Sequence, residues 1–551
     1  MTNQFIDARE LAVERLRRED FDVLVVGGGI TGAGVALDAV SRGLRVAIVE
    51  RGDWASGTSS KSSKLIHGGL RYLQQKEYRL VYENLRERQR LLRNAPHLVH
   101  VMPFLIPLFG KQGIVTKALS KGYSTALTLY DVTGGWRIGR FHKRISVEET
   151  VSHMGGLAKA KVGAGFLYFD AQADDVRLTL AIVRSAEERG AAALNHCGVS
   201  SFTKDHSGRV CGALLDNGVA VRARCVVNAT GVWAASVAGL AGPASFAVRP
   251  AKGCHVTVPF DKVRADIAAV LPVRSDRRSV FVVPAYDTAP TAGSAEQPSL
   301  IYIGTTDTEY DGPLDDVRCT PADVQYLLDA MNDWLEEPLT SADIVGTWAG
   351  LRPLLGDASN ARTADLSRRH RVVDDDFGLV SIIGGKLTTY RQMAQDTVDE
   401  LVRVLGIRAR CRTATLRLHG AGDVMANDRM PIPLHEHLVR RHGTDASIIE
   451  ALIEADPTLG QPLMDGLAYV RAEVVHAVRS EHARTLDDVL SRRTRCLLLN
   501  IEGTALAAPT VADLVAPVLG WSDDDRKREL STFAAIVERE RQATRPVGSV
   551  G

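Results

Sequence analysis

Gly27, Gly29 and Gly32 are spaced as G-x-G-x-x-G, and Glu50 closes the next apolar run. That spacing fits a dinucleotide: the first glycine permits a tight turn, the second lets backbone approach a pyrophosphate, and the third lets helix pack on strand. The helix that follows, with Ile30 and Thr31 in its first turn, would aim N–H groups and its positive dipole end at the same pyrophosphate. Glu50 would hold a ribose hydroxyl, and an acid there argues against a 2′-phosphate.

FAD and NAD share this fingerprint, so other segments decide between them. "NATG", Asn228 to Gly231, closes a strand far downstream, and "GGKLTT", Gly384 to Thr389, opens a helix near the end of the domain. Three separated glycine turns, using Thr230, Gly231, Gly385, Lys386, Leu387 and Thr388, suit a long FAD threaded through one domain, whereas an NAD site rarely needs the third. The helix beginning near Leu387 would point its N-terminus at the flavin ring, where its dipole stabilises the negative charge of reduction.

The stretch "SSKLIHGGLRYL", Ser62 to Leu73, crowds serines, glycines, a histidine and two cations together. With the pyrophosphate served by Gly27 to Gly32, it turns from cofactor to substrate: Ser62, Ser63 and Lys64 face the flavin, and Gly68 and Gly69 let the backbone pass close to it. His67 is assigned a packing or flavin-side role. Lys386 would place its ammonium near the flavin or a substrate oxygen.

These residues need an α/β frame. "FDVLVVGGG" reads as a buried parallel strand, "TGAGVALDAVSRG" as a helix with a small-residue face and "LRVAIVE" as the next strand, a βαβ unit. Helix–strand alternation returns over 174–231 and 372–400. Between about 246 and 345 the β-branched and aromatic runs "GCHVTVPF", "SVFVVPAY" and "SLIYIGTTD" look antiparallel. The expected organisation is a Rossmann-like FAD-binding domain over 1–410, assembled from segments near 20–100, 165–245 and 346–410, with an inserted antiparallel β-sheet cap over 246–345. A C-terminal α-helical domain follows over 411–551.

Composition excludes several classes. With 67 basic and 66 acidic residues the chain has no overall field for nucleic acid. Its 7 cysteines lack CxxC or Cys/His zinc spacing, so no metal site is expected and a reduced, cytoplasmic setting fits. The charged N-terminus lacks the apolar core of a signal peptide, and no apolar run is long enough to span a membrane.

"GGGITGAGVALDA", "SSKLIHGGLRYL", "RPAKGCHV", "GTTDTEY", "GLRPL" and "GGKLTTYRQMA" occur in the order seen in FAD-dependent glycerol-3-phosphate dehydrogenases of bacterial type, which resemble D-amino-acid oxidases in fold. The resemblance runs from about residue 20 to 400 and continues into "RTLDDVLSRRTR", Arg484 to Arg495. It implies that Arg71, Tyr72, Arg352 and Arg368 line the pocket of sn-glycerol 3-phosphate. The family pattern near Arg368 departs here to "SRRH", so Arg368 or Arg369 takes that role. Arginine suits a phosphate, with its planar and permanently charged fork. His255 in "KGCHV" is the candidate base, because imidazole accepts a proton near neutral pH; Arg352 would alternatively stabilise the alkoxide. Further cofactor contacts are expected at Ser60 and Val199.

A reduced flavin must be reoxidised, and no haem, iron–sulfur or second nucleotide signature is present. Lys111, Lys117, Lys121, Arg137, Arg140, Lys143 and Arg144 face a single acid, Asp131, among the apolar Phe104, Leu105, Ile106, Leu108 and Phe109. Basic residues beside apolar ones suit an anionic membrane surface. The resemblance then implies a peripheral enzyme on the inner face of the membrane, reducing a quinone, with a homodimer by analogy. The alternatives are an oxidase that passes electrons to oxygen and a non-catalytic flavin-binding docking module.

Overall fold

The computed structural model describes residues 8–70, 77–110, 116–276, 278–285, 298–356 and 370–545. Two sheets carry the architecture. In the first, strands Ala192–Leu194, Val46–Val49, Asp20–Val26, Ala220–Asn228 and Leu379–Ile383 lie parallel in that order, with Arg371–Asp374 antiparallel at one edge. Both faces are covered, so these strands read as continuous apolar runs. Val23 and Val25 share a core with helices Ile30–Ser41, Asp175–Glu187 and Tyr390–Val404. Leu24 and Val26 face the other way, toward helix Ala8–Arg18 and the meander Val199–Lys204, Val210–Leu215, Ala220–Asn228. Register sets Val26 beside Asn228, so the turns that leave these two strands are neighbours at the carboxyl edge, where open α/β sheets bind ligands.

The second sheet runs Thr308–Glu309, Val248–Pro259, Leu300–Gly304, Ser279–Ala285, Ala268–Pro272, Val99–Phe109, Val162–Ala173, Leu65–Ile66, with Gly346–Leu355 also paired to Val248–Pro259. It is mainly antiparallel, with a parallel pairing between Ala268–Pro272 and Val99–Phe109. The sheet therefore draws in strands from both sides of the 246–345 segment expected to form the cap. A strand's alternation shows that it has a buried face but not which sheet buries it. This pairing also corrects the reading of Phe104, Leu105, Ile106 and Leu108 as part of a membrane-facing surface. All four are buried in the sheet's core, and Phe109 stacks on Trp334 with ring centroids 3.8 Å apart.

From Ile432 onward the described chain is mainly helical, with Ile432–His442, Ala446–Ala455, Arg471–Ser480, Ile501–Leu519 and Asp523–Gln542 as its main helices. Contrary to the expectation from apolar runs, helix Ile501–Leu519 is long and apolar enough to cross a membrane. One face of it, Thr504, Ala508, Val511, Ala512 and Val515, is buried against neighbouring helices, while Leu506 is exposed. This region braces the cap. Thr257 Oγ1 donates to the Leu498 carbonyl at 2.7 Å, Thr347 Oγ1 to Glu540 at 2.6 Å, and the Ile501 N–H to the Val345 carbonyl at 2.8 Å. A π-helical turn, Asp488–Arg493, brings Arg492 and Arg493 together onto Asp53 at 2.6 and 2.5 Å.

Candidate active site

The dinucleotide end is built by strand Asp20–Val26 and helix Ile30–Ser41. A Cβ on Gly27 would lie 2.7 Å from the Ala229 carbonyl, and one on Gly32 would lie 1.9 Å from the Gly27 carbonyl, so only glycine lets these turns meet. Gly29 is the helix N-cap and offers no side-chain cap. Ser59 supplies one instead, its hydroxyl accepting from the Ile30 N–H at 2.9 Å. Ser59 is not among the expected site residues; its signal is the hydroxyl-rich run just before Ser62. Thr31 stands in the same turn, half-buried.

Glu50 accepts from the Gly28 and Gly52 N–H groups at 2.6 and 2.8 Å, and burial pushes its pKa up. Thr230 Oγ1 donates to Asn228 Oδ1 at 2.6 Å, which shapes the turn ahead of Gly231. Trp233, two residues on, carries a buried indole N–H that has no acceptor among the described residues. Val199 packs on the core shared with Leu194 and Cys197. A glycine cradle at a helix N-terminus, an acid at the next strand end and an orphaned N–H fit the adenosine diphosphate half of FAD.

The segment Ser60 to Gly69 links the two sheets. Ser60 is buried, and its carbonyl accepts from Lys64 Nζ at 3.2 Å. Ser62 Oγ donates to Asp175 at 2.7 Å, and Lys64 Nζ pairs with the same carboxylate at 2.8 Å. The ammonium of Lys64 is thus engaged by Asp175, while its backbone stays in the loop. Ser63 Oγ lies 2.8 Å from His255 Nε2. The His67 N–H donates to Thr388 Oγ1 at 3.2 Å, tying this segment to the turn Gly384–Gly385. The Gly68 N–H reaches both Tyr130 Oη and Asp170, and Gly69 takes a left-handed φ of 78°.

The second sheet brings His255, Trp348 and Arg352 to the same face. In strand Val248–Pro259, His255 and Gly253 point one way, while Cys254 and Val256 join the core on the other. Register sets His255 opposite Trp348 on one neighbour and opposite Gly304 on the other. The His255 and Trp348 rings stack at 4.7 Å with planes 6° apart, and a Cβ on Gly304 would come within 2.0 Å of His255 Cδ2. Arg352 donates to Asp307 Oδ1 at 3.0 Å, Thr305 Oγ1 at 3.1 Å and the Thr306 carbonyl at 3.2 Å. The same guanidinium fills the space beside Gly253, where a Cβ would stand 2.6 Å from Arg352 Nη2.

Burial, then the cations Arg352 and Lys64, hold the pKa of His255 well below its ordinary 6.5, so the ring is neutral at physiological pH. Its Nδ1 is buried and has no partner among the described residues. A neutral imidazole beside a fixed guanidinium can accept a proton from an alcohol and stabilise the oxyanion left behind.

Lys386 and Leu387 open the last turn, where Gly385 has a φ of 90° and Thr388 is buried. Lys386 lies in electrostatic reach of Glu83 on helix Tyr78–Asn94. Arg71, Tyr72, Lys111, Arg368 and Arg369 lie outside the described residues. Two groups of acids and histidines have metal-like spacing among the described residues, but arginines fill both: Arg177 donates to His442 Nδ1 at 2.9 Å and pairs with Glu481, and Arg492 bridges Asp53 and Asp488. Trp348, Gly304, Thr305 and Asp307 join the site without having been expected there; "GTTDT" and "GTWAG" are their signal in the sequence.

Residues 22–391 match the family of FAD dependent oxidoreductases, and residues 411–526 match the C-terminal domain of alpha-glycerophosphate oxidase. A glycerol-3-phosphate dehydrogenase 2 of Mycobacterium tuberculosis is 39% identical over 97% of this chain and 90% of its own length. The mitochondrial glycerol-3-phosphate dehydrogenase of Rattus norvegicus is 34% identical over 95% of this chain and 74% of its own. Among solved structures, the Bacillus halodurans glycerol-3-phosphate dehydrogenase complexed with FAD superposes with a TM-score of 0.76 at 28% identity, covering 99% of this chain and 100% of that one. The fold and the dinucleotide cradle thus define a flavoprotein: the chain belongs to the FAD-dependent oxidoreductases, and FAD is its cofactor. Within them it belongs to the glycerol-3-phosphate dehydrogenase family.

Proposed function

We propose that the protein oxidises sn-glycerol 3-phosphate to dihydroxyacetone phosphate and passes the electrons to a membrane quinone. The observation that carries this reading is the neutral, buried His255 held beside Arg352 on the sheet face that meets the Ser60 to Gly69 segment. FAD, when bound, supplies the hydride acceptor. His255 takes the proton of the secondary hydroxyl, and Arg352 stabilises the oxygen as that proton leaves. Arg71, Tyr72 and Arg368 or Arg369 bind the phosphate, and Lys386 adds positive charge from the turn before the last helix of the cofactor domain.

Docking to a membrane is supported by a surface different from the apolar strand expected at first. Leu129, Val132, Trp136 and Phe141 are exposed, with Val132 at 71% and Phe141 at 63%. Lys117, Lys121, Arg140, Lys143 and Arg144 are exposed in the same region, and Asp131 is buried against His142. A cationic surface with projecting apolar side chains fits the anionic inner leaflet.

Adding sn-glycerol 3-phosphate to purified enzyme without acceptor should bleach the flavin's visible absorption. A quinone analogue should restore the colour with little peroxide formed. Rapid peroxide formation in air would instead support the oxidase reading, and no bleaching at all would leave a flavin-binding module.

A further inference from the structure

Trp348 lies flat against His255. The two rings are parallel within 6° at 4.7 Å, and both residues are almost fully buried. The indole is itself fixed on several sides. Its N–H points to the Ser62 carbonyl at 3.4 Å, Tyr302 meets it edge-on at 5.6 Å, and the Lys64 ammonium lies 5.5 Å from its ring centroid. Lys64 is held by Asp175, whose carboxylate also takes the Ser62 hydroxyl and N–H. Ser62, Ser63 and Lys64 therefore serve the base as well as the cofactor loop: three consecutive residues fix the indole, the imidazole nitrogen and the ion pair behind them.

We propose that Trp348 is a positioning residue for substrate oxidation, its indole braced by Ser62 and the Lys64–Asp175 pair so that His255 is held in one ring plane with Nδ1 presented to the substrate hydroxyl. This rests on the reading of His255 as the base. This positioning requires the tautomer in which Nε2–H donates to Ser63 Oγ, which leaves the lone pair on Nδ1, the ring nitrogen that has no partner among the described residues. The charged groups around the ring are Arg352, paired with Asp307 on the sheet, and Lys64, paired with Asp175 on the cofactor side. The Cys319 thiol reaches the backbone carbonyls of His255 and Trp348, not the imidazole. Burial and the two cations favour the neutral ring, and a loosened stack would admit water and move His255 back toward its ordinary pKa of 6.5.

The test uses the FAD-loaded full chain and rapid-mixing measurements of flavin reduction by sn-glycerol 3-phosphate from acid to neutral pH. Trp348→Leu should lower the limiting reduction rate about 10- to 100-fold, the scale of loss expected from a misplaced reacting group. Its substrate dissociation constant, FAD content and binding of dihydroxyacetone phosphate should stay close to those of the parent. The acid limb of its rate profile should move to higher pH, and Trp348→Phe should recover most of the rate. An unchanged rate and limb in Trp348→Leu would overturn the proposal, as would a loss that follows FAD content. If Trp348→Leu does not fold, Trp348→Phe carries the test alone: a small upward move of the limb supports the proposal, and an unmoved limb refutes it. His255→Asn separates the two readings. A fast reduction in that variant removes His255 as base, whereas a slow one beside an unaffected Trp348→Leu removes only the positioning role.

Discussion

Arg352 and Gly304 make the residue-scale case. Three acceptors fix the guanidinium, and it stands near a ring that must remain neutral. Arg352→Ala should cut substrate-driven flavin reduction roughly 10- to 100-fold, since one charge-assisted hydrogen bond contributes about 1.5–3 kcal/mol. FAD should remain bound, as measured by absorbance after gel filtration; loss of flavin would make Arg352 a cofactor residue. Gly304→Ala forces a Cβ to within 2.0 Å of His255 Cδ2, so the ring or the strand must shift. Reduction should slow by about 100-fold, with FAD again retained; an unaffected rate would show that ring placement is not critical. The individual glycines, His255 and Arg352 were legible as candidates in the sequence. Their mutual geometry was not, because His255, Gly304 and Trp348 meet only through strand register.

At the scale of elements, the π-helical turn Asp488–Arg493 makes one of the contacts between the C-terminal helices and the cofactor domain. Asp53 is fully buried, follows the Glu50 turn and receives Arg492 and Arg493 together. Against the cost of burial, these two guanidiniums hold the Asp53 carboxyl well below the usual carboxylate range. Breaking such a buried pair costs about 3–5 kcal/mol, so Asp53→Asn should lower the melting temperature and speed FAD release, both readable from flavin fluorescence on heating. The sign of the pH dependence follows. A depressed folded pKa adds stability that is complete above about pH 3.9, the unfolded value, and is lost as pH falls through the folded value. The destabilisation by Asp53→Asn should therefore be constant between about pH 6 and 8, which thermal melts would check. The motif "SRRTR" was visible in the sequence, but its partner lies 439 positions away in the chain.

For the whole molecule, the surface carrying Val132, Trp136 and Phe141 sets an expectation about location. Replacing Trp136 and Phe141 with serine should reduce co-sedimentation with vesicles containing anionic lipid several-fold, about 1–2 kcal/mol for two lost apolar anchors. Flavin reduction by substrate should be unchanged, because neither residue contacts His255, Trp348 or Arg352 among the described residues. Equal sedimentation of variant and parent would remove this face as the docking surface. Sequence by itself determined the cofactor fingerprint, the parallel strands around Gly27 and Asn228 and the helical C-terminal region, since each depends on local periodicity or short spacing, and six ordered motifs carried the resemblance to the family. Only the tertiary structure decided that Val99–Phe109 and Val162–Ala173 belong to the second sheet, that the Phe104 stretch is core, and that Ser63 and Trp348 hold His255. Those outcomes depend on which strand pairs with which and in what register, and no local pattern in a strand specifies its partner.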